Sequence, residues 1–280
     1  MRRYEENRMY HYLRRHKKFP NVWCPGCGIG IVMSAIIRAI DRLGWEKDDI
    51  AMISGIGCSG RMPVYMDFNT MHTTHGRALA FATGLKMVKP KMHVIAIMGD
   101  GDALAIGGNH FIHAARRNIG ITSIVINNSV YGMTGGQYSP TTPTGSLATT
   151  APYGNIDQPF PICELAIAAG ATFVARGTVY HAVELDRLIE KALVHEGFSV
   201  VEAVSYCHTT FGRINKLGTA VDMLRWQKEN SVTREAAAKM TPEQLQGKIV
   251  RGIFHEREFP EYTAAYAKII EQAMAGQRQA

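Results

Sequence analysis

Five short runs rich in apolar and β-branched residues, at 50–56, 92–98, 121–126, 171–175 and 198–204, alternate with stretches of helical periodicity near 76–89, 103–118, 161–169 and 181–195. This alternation constrains the fold most, because a helix between successive strands supplies the long crossover that a parallel pair requires. The expected fold is α/β: a doubly wound, mainly parallel sheet with helices on both faces. One more helix is expected ahead of the first strand, where Ile29, Val32, Ile36, Ala39, Ile40 and Leu43 recur at helical spacing and Gly44 stands at the C-terminal cap position. Pro90 marks a helix stop before the run at 92–98. After about residue 209 the strand pattern ends. There Thr241-Pro242-Glu243-Gln244 has the form of a capping box with proline at the first helical position, which predicts a helix in the C-terminal arm.

A length of 280 residues fits one large α/β domain with peripheral arms. The division read from the sequence is a basic arm at 1–19, a main domain at 20–208 and a C-terminal arm at 209–280. No stretch approaches the ~18 uninterrupted apolar residues of a membrane span, so a soluble protein is expected. Arg2-Arg3 is followed by Tyr4-Glu5-Glu6-Asn7-Arg8 and no apolar region before Trp23, which argues against an export signal and for the cytoplasm. The formal charge of +7 owes much to Arg2, Arg3, Arg8, Arg14, Arg15, Lys17 and Lys18 in the arm. No helix-turn-helix or zinc-finger pattern accompanies them, so a solvated or subunit-clasping segment is expected and nucleic acid is not.

In a doubly wound sheet, ligands bind beyond the carboxyl ends of the strands. The run at 92–98 ends at Gly99-Asp100-Gly101-Asp102, and the run at 121–126 ends at Asn127-Asn128, so the two motifs are expected to meet. Glycines let a diphosphate approach the backbone, a helix N-terminus favours its charge, and Asp100 with the Asn128 amide oxygen offers hard ligands for magnesium. Taken singly, either motif reads more simply as a tight turn with Asp102 capping a helix. Their pairing at successive strand ends favours the magnesium site. The segment 132–160, rich in Gly, Thr, Ser and Pro, is too long for a simple connection and is expected to cover a ligand.

Five cysteines without an export signal argue for ligand roles rather than a disulfide framework. Cys24 and Cys27 flank Pro25-Gly26, a turn able to direct two thiolates at one metal; Cys58 and Cys207 each follow a strand, and Cys163 is left as the spare. Four thiolates suit zinc or a [4Fe-4S] cluster, and spacing alone does not separate them. A redox dithiol at Cys24 and Cys27 would leave Cys58 and Cys207 without a role.

Trp23-Cys24-Pro25-Gly26-Cys27-Gly28, Gly57-Cys58-Ser59-Gly60-Arg61, His75-Gly76-Arg77-Ala78, Gly99-Asp100-Gly101-Asp102 and Asn127-Asn128-Ser129-Val130-Tyr131-Gly132-Met133-Thr134-Gly135-Gly136-Gln137 together resemble the beta subunits of 2-oxoacid:ferredoxin oxidoreductases. The likeness is nearest to the 2-oxoglutarate type and spans roughly residues 20–230. It implies the diphosphate domain of a thiamine diphosphate-binding fold with one [4Fe-4S] cluster. Carried over by position, Cys24, Cys27, Cys58 and Cys207 ligate the cluster, while Asp100, Asn128 and the main-chain oxygen of Val130 hold Mg2+. Gly101, Asp102 and Thr134 contact the diphosphate, and Ser59 and His75 lie close to the cofactor. Arg61 and Met133 face the substrate. A metal pair of His72 and His75 is a further reading, which the Gly76-Arg77 context disfavours; plain core packing for Met133 and a surface ion pair for Arg61 are the simpler readings of those residues.

The implied reaction is coenzyme A-dependent oxidative decarboxylation of 2-oxoglutarate to succinyl-CoA and CO2. Electrons leave through the cluster to ferredoxin, and the low driving force permits reductive carboxylation in reverse. Nothing here matches the pyrimidine-binding domain that supplies the activating glutamate, so the resemblance implies an alpha subunit, in a heterodimer or dimer of heterodimers, and a separate ferredoxin whose acidity the positive charge suits. Three other readings stand beside this one: a pyruvate or branched-chain enzyme of the same chemistry, a non-redox thiamine-dependent lyase with structural zinc, and a metal-stabilised binding module.

Overall fold

Eight strands form one sheet in the order β2-β1-β3-β4-β6-β5-β8-β7. The structure, a computed structural model, describes residues 8–16 and 20–277. β1 (Ile50–Ser54), β3 (His93–Gly99), β4 (Ile121–Asn127), β5 (Phe173–Thr178) and β6 (Ser199–Val204) are the expected strands, each within a few residues of its sequence position. All pair in parallel, so their carboxyl ends share one edge of the sheet.

Alternation along each strand feeds two separate cores. On one face Met52, Ile95, Ile97, Ile124, Ile126 and Val201 meet helices Ile29–Leu43 and Ala182–Val194. On the other, Ile53, Val94, Ala96, Met98, Val125 and Val200 meet helices Ala78–Val88, Gly108–Arg117 and Ile162–Ala169. Helices thus cover both faces, as the alternation predicts. Gly44 caps the first helix in the left-handed conformation, its N–H donating to Ile40 and Asp41.

Three strands depart from the sequence reading. β2 (Asn69–His72) is an outer strand with mostly exposed side chains, held by its parallel backbone register with β1, so no apolar alternation marks it. The strand pattern also does not end at 209. β8 (Ile249–Glu256) pairs antiparallel with β5, and β7 (Ser231–Thr233) pairs with β8. Arg251, Gly252 and His255 interrupt the apolar run of β8, and the register shifts at Val174/Ala175, which is why a pattern of period two fails there. The capping box at Thr241 is present, but it starts only the four-residue helix Pro242–Leu245; the long C-terminal helix is Tyr262–Gln277.

The stretch expected as one helix at 103–118 is two, Asp100–Leu104 and Gly108–Arg117. Of the basic arm, Arg2, Arg3, Glu5, Glu6, Lys17 and Lys18 lie outside the described residues. Its described part packs against the helix Ile29–Leu43 and the segment before β2: Tyr12 is buried, Arg8 lies 3.3 Å from Asp41, and Arg14 Nε donates to the Met66 carbonyl at 2.9 Å. No helix among the described residues is long and apolar enough to cross a membrane.

Candidate active site

Because β1, β3, β4 and β6 are adjacent and parallel, the segments that follow them converge. These segments carry Cys58 and Ser59, Gly99 to Asp102, Asn128 to Thr134, and Cys207. Between the first three lies a cleft of about 280 Å³ whose walls include Cys58, Ser59, His75, Asp100, Gly101, Asp102, Asn128, Val130, Met133 and Thr134. Arg61 sits one turn on, in the 3-10 helix Ser59–Val64, and is not among the lining residues.

The floor of the cleft gathers oxygens. Asp100 is buried, and its Oδ2 accepts from Ser139 Oγ at 2.5 Å and Thr141 Oγ1 at 2.6 Å. Its Oδ1 is thereby left to face the Asn128 amide oxygen at 3.1 Å, which is itself 2.8 Å from the Val130 carbonyl oxygen. With the amide in this orientation three acceptor oxygens face one another, whereas the reversed orientation is the one its hydrogen-bonding neighbours favour. Turning the amide would place a donor there and satisfy both neighbours without a metal, and a cation would draw the oxygen back in. The two spacings, 3.1 and 2.8 Å, suit hydrogen bonds from a turned amide and equally the ligands of an octahedral Mg2+, whose neighbouring oxygens lie about 2.9 Å apart. Burial raises the Asp100 carboxyl above its ordinary pKa, and the two hydroxyls offset only part of that. A cation would supply the missing counter-charge.

Asp102 does not cap a helix. Its Oδ1 accepts from the N–H groups of Gly76 at 2.6 Å and Ile56 at 3.3 Å, which ties β1, the segment after β2 and the segment after β3 together. His75 Nδ1 lies 2.8 Å from the same oxygen without the alignment of a hydrogen bond, and Asp102 Oδ2 is buried without a partner. His72 Nδ1 faces Ser54 Oγ at 3.0 Å, so the two histidines have separate partners rather than one metal. A Cβ on Gly55 would overlap the Asp102 carboxylate. Gly55→Ala is therefore expected to push Asp102 off Gly76 and lower stability by about 1–3 kcal/mol. Unchanged thermal unfolding of this variant would show that the contact is not needed.

The thiols adjoin this cleft. Cys58 and Cys207 sulfurs both lie within 4 Å of the Cβ position of Gly132, and Cys58 belongs to both groups. The Cys24 to Cys27 turn is fastened to each: Trp23 Nε1 donates to the Cys58 carbonyl at 2.7 Å, and Tyr206 Oη donates to the Gly26 carbonyl at 2.9 Å. A π-helical turn, His208–Gly212, brings Thr210 Oγ1 to 2.9 Å from Cys207 Sγ and Thr209 Oγ1 to 3.6 Å from both Cys24 and Cys207. Burial pushes Cys27 and Cys58 up to about 11. Burial acts the same way on Cys207, but hydrogen bonds from Thr210 and Thr209 outweigh it and leave its pKa lowered. Cys163 is buried elsewhere, 3.5 Å from Glu202 Oε2. Among the described residues no three His, Cys, Asp or Glu side chains are grouped so as to hold a single metal ion.

The structure thus brings together the cysteines and every expected cofactor-side residue, and leaves Arg61 outside the cleft wall. Ser139, Thr141, Asn127, Thr209 and Thr210 are additions. The loop composition pointed to the segment of Ser139 and Thr141, but no motif singled those two out.

The sequence matches the family described as thiamine pyrophosphate enzyme, C-terminal TPP binding domain, over residues 55–203. It is 50% identical over 268 residues to the 2-oxoglutarate synthase subunit KorB of Methanothermobacter marburgensis, covering 96% of this chain and 94% of that one. The protein of the same name from Archaeoglobus fulgidus is 56% identical over 224 residues, covering 80% and 81%. A solved structure of 2-oxoglutarate:ferredoxin oxidoreductase from Magnetococcus marinus with 2-oxoglutarate, coenzyme A and succinyl-CoA bound superimposes with a TM-score of 0.85 at 35% identity, over 96% of this chain and 91% of that one.

Proposed function

Since the chain belongs to the beta subunits of 2-oxoacid:ferredoxin oxidoreductases, within the 2-oxoglutarate group, we propose that it carries the diphosphate half of an active site for coenzyme A-dependent oxidative decarboxylation of 2-oxoglutarate to succinyl-CoA and CO2, with ferredoxin as electron acceptor. The observation that carries this reading is the contact of two sites through Cys58 and Gly132: a three-oxygen floor suited to Mg2+ and a group of four thiols.

Both sites fit the groups implied. Bound thiamine diphosphate supplies a nucleophilic carbon able to take up the electron pair of decarboxylation, and a [4Fe-4S] cluster supplies transfer of electrons one at a time. Asp100, Asn128 and the Val130 carbonyl would hold Mg2+, with Gly101, Asp102 and Thr134 along the diphosphate and Ser59 and His75 beside it. Cys24, Cys27, Cys58 and Cys207 would hold the cluster. Four thiolates by themselves suit a cluster or one zinc ion, and their place beside a cleft fit for a redox cofactor is what supports the cluster. Met133 is about half exposed at the cleft mouth, and its N–H faces the Cys58 sulfur, so it stands between substrate side and thiols as an apolar wall that excludes water.

The cleft, about 280 Å³, is at the lower end of ligand sites, which run from about 300 Å³ upward. This suits a half-site closed by an alpha subunit in a heterodimer or a dimer of such pairs. The formal charge of +7 suits an acidic ferredoxin, and the setting is the cytoplasm.

Turnover of a panel of 2-oxo acids by the co-expressed complex tests the reading: 2-oxoglutarate should have the highest kcat/KM, and preference for pyruvate would overturn the substrate assignment. In the same panel Arg61→Ala tests direct contact with substrate: a guanidinium that meets a carboxylate accounts for about 1–3 kcal/mol of transition-state stabilisation, and a larger loss for 2-oxoglutarate than for pyruvate marks the distal carboxylate as the one met. Unchanged kcat/KM for both would remove Arg61 from the substrate site.

A further inference from the structure

Ser129 stands between the two residues that complete the oxygen floor, Asn128 and Val130, and its φ of 59° is left-handed. A serine in that region is strained and persists only where its surroundings impose it. The turn has a consequence: it lets the Asn128 side chain and the Val130 carbonyl face one point, across from Asp100 Oδ1.

The restraints on Ser129 come from one side chain above all. Asn127 Oδ1 accepts from the Ser129 N–H at 3.2 Å, an Asx turn, and lies 3.4 Å from Ser129 Oγ. The Ser129 carbonyl accepts from Thr142 Oγ1 at 2.7 Å. An amide can present its oxygen or its nitrogen to Ser129; Thr141 Oγ1 also lies 3.0 Å from Asn127 Oδ1, but its one proton goes to Asp100 at 2.6 Å, so what decides is the amide's other end. Asn127 Nδ2 donates to Glu202 Oε1 at 2.9 Å, and Glu202, whose side chain is 5% exposed, accepts from Arg176 Nε at 2.6 Å through its other oxygen. Arg176 and Glu202 are cross-strand partners on β5 and β6. Arg176 is held in turn by β8, with Phe254 stacked 4.8 Å from its guanidinium carbon.

We propose that Glu202 is a positioning residue for the cation site: by fixing the Asn127 amide it keeps Ser129 left-handed and so aims the Asn128 and Val130 oxygens at the metal. The inference rests on the thiamine diphosphate reading above. Glutamine at 202 keeps the volume but has one acceptor for two donors. The permanently charged Arg176 retains it, and Asn127, now facing an N–H, turns over and withdraws its oxygen from the Ser129 N–H. Glycine at 129 adopts the left-handed conformation without support.

The test is the Mg2+ concentration that half-saturates thiamine diphosphate binding, titrated with the co-expressed complex. Glu202→Gln should raise it about 10-fold or more, as partners of metal ligands commonly do. Asn127→Ala, which leaves the Arg176 to Glu202 pair intact, should do the same and stands in if Glu202→Gln does not fold. Adding Ser129→Gly to either should recover most of the loss, which a merely structural ion pair would not allow. An unchanged half-saturating concentration, or an equal loss with and without Ser129→Gly, overturns the proposal. Asp100→Ala serves as the separate check. If it too leaves Mg2+-dependent binding intact, the cofactor reading itself falls.

Discussion

Asp100→Ala should weaken Mg2+-dependent thiamine diphosphate binding by more than about 100-fold, since even the partners of metal ligands cost 10–100-fold when removed. The alanine takes away the one formal negative charge among the three oxygens and leaves the Ser139 and Thr141 hydroxyls without their acceptor. Asp100→Asn keeps the shape but loses the charge and exchanges one acceptor oxygen for an NH2 donor, so a similar loss in both variants assigns the effect to the carboxylate itself rather than to collapse of the loop. Calorimetric titration of the complex measures the affinity, with iron content and thermal unfolding as controls for folding. Equal affinity in wild type and Asp100→Ala would remove Asp100 from the cofactor site.

Cys58→Ser and Cys207→Ser should each lose most of the bound iron and its visible absorbance, and with them electron transfer to ferredoxin. Both sulfurs flank Gly132, and serine offers a hard oxygen where iron prefers soft thiolate. Cys163→Ser should keep its iron, because Cys163 lies beside Glu202 rather than with the other thiols. Full iron in both Cys58→Ser and Cys207→Ser would sink the ligand assignment. Colourless wild-type protein carrying zinc after anaerobic purification would do the same. Because burial holds Cys27 and Cys58 near 11 when no metal is bound, loading releases protons and reconstitution should become more favourable as pH rises from neutrality toward that value.

Much of this architecture is legible in the chain because local and tertiary demands agree. The five central strands are buried on both faces, so apolar content alone marks them. Gly44 and the capping box at Thr241 are local signals that neighbours need not support. β2 and β8 were hidden for the opposite reason. Both are held by backbone pairing, β2 with the preceding strand β1 and β8 with the distant β5, and neither carries an apolar periodicity to read. Ser139 and Thr141 were hidden too, since hydroxyls are common in loops and only the return of the loop over Asp100 gives these two a task.

By itself the sequence determined the α/β class, the order of the five central strands along the chain, the residue types of both sites and the family. Each depends on the kind of residue and its spacing, which a linear chain carries in full. Tertiary structure alone decided that β1, β3, β4 and β6 are neighbours, and hence that four distant segments share one edge. It also decided that Cys58 and Cys207 flank Gly132, that Asp100 offers a single oxygen, and that Arg61 stands off the cleft wall. Distances and directions between residues far apart in sequence are set by packing, and no spacing along the chain encodes them.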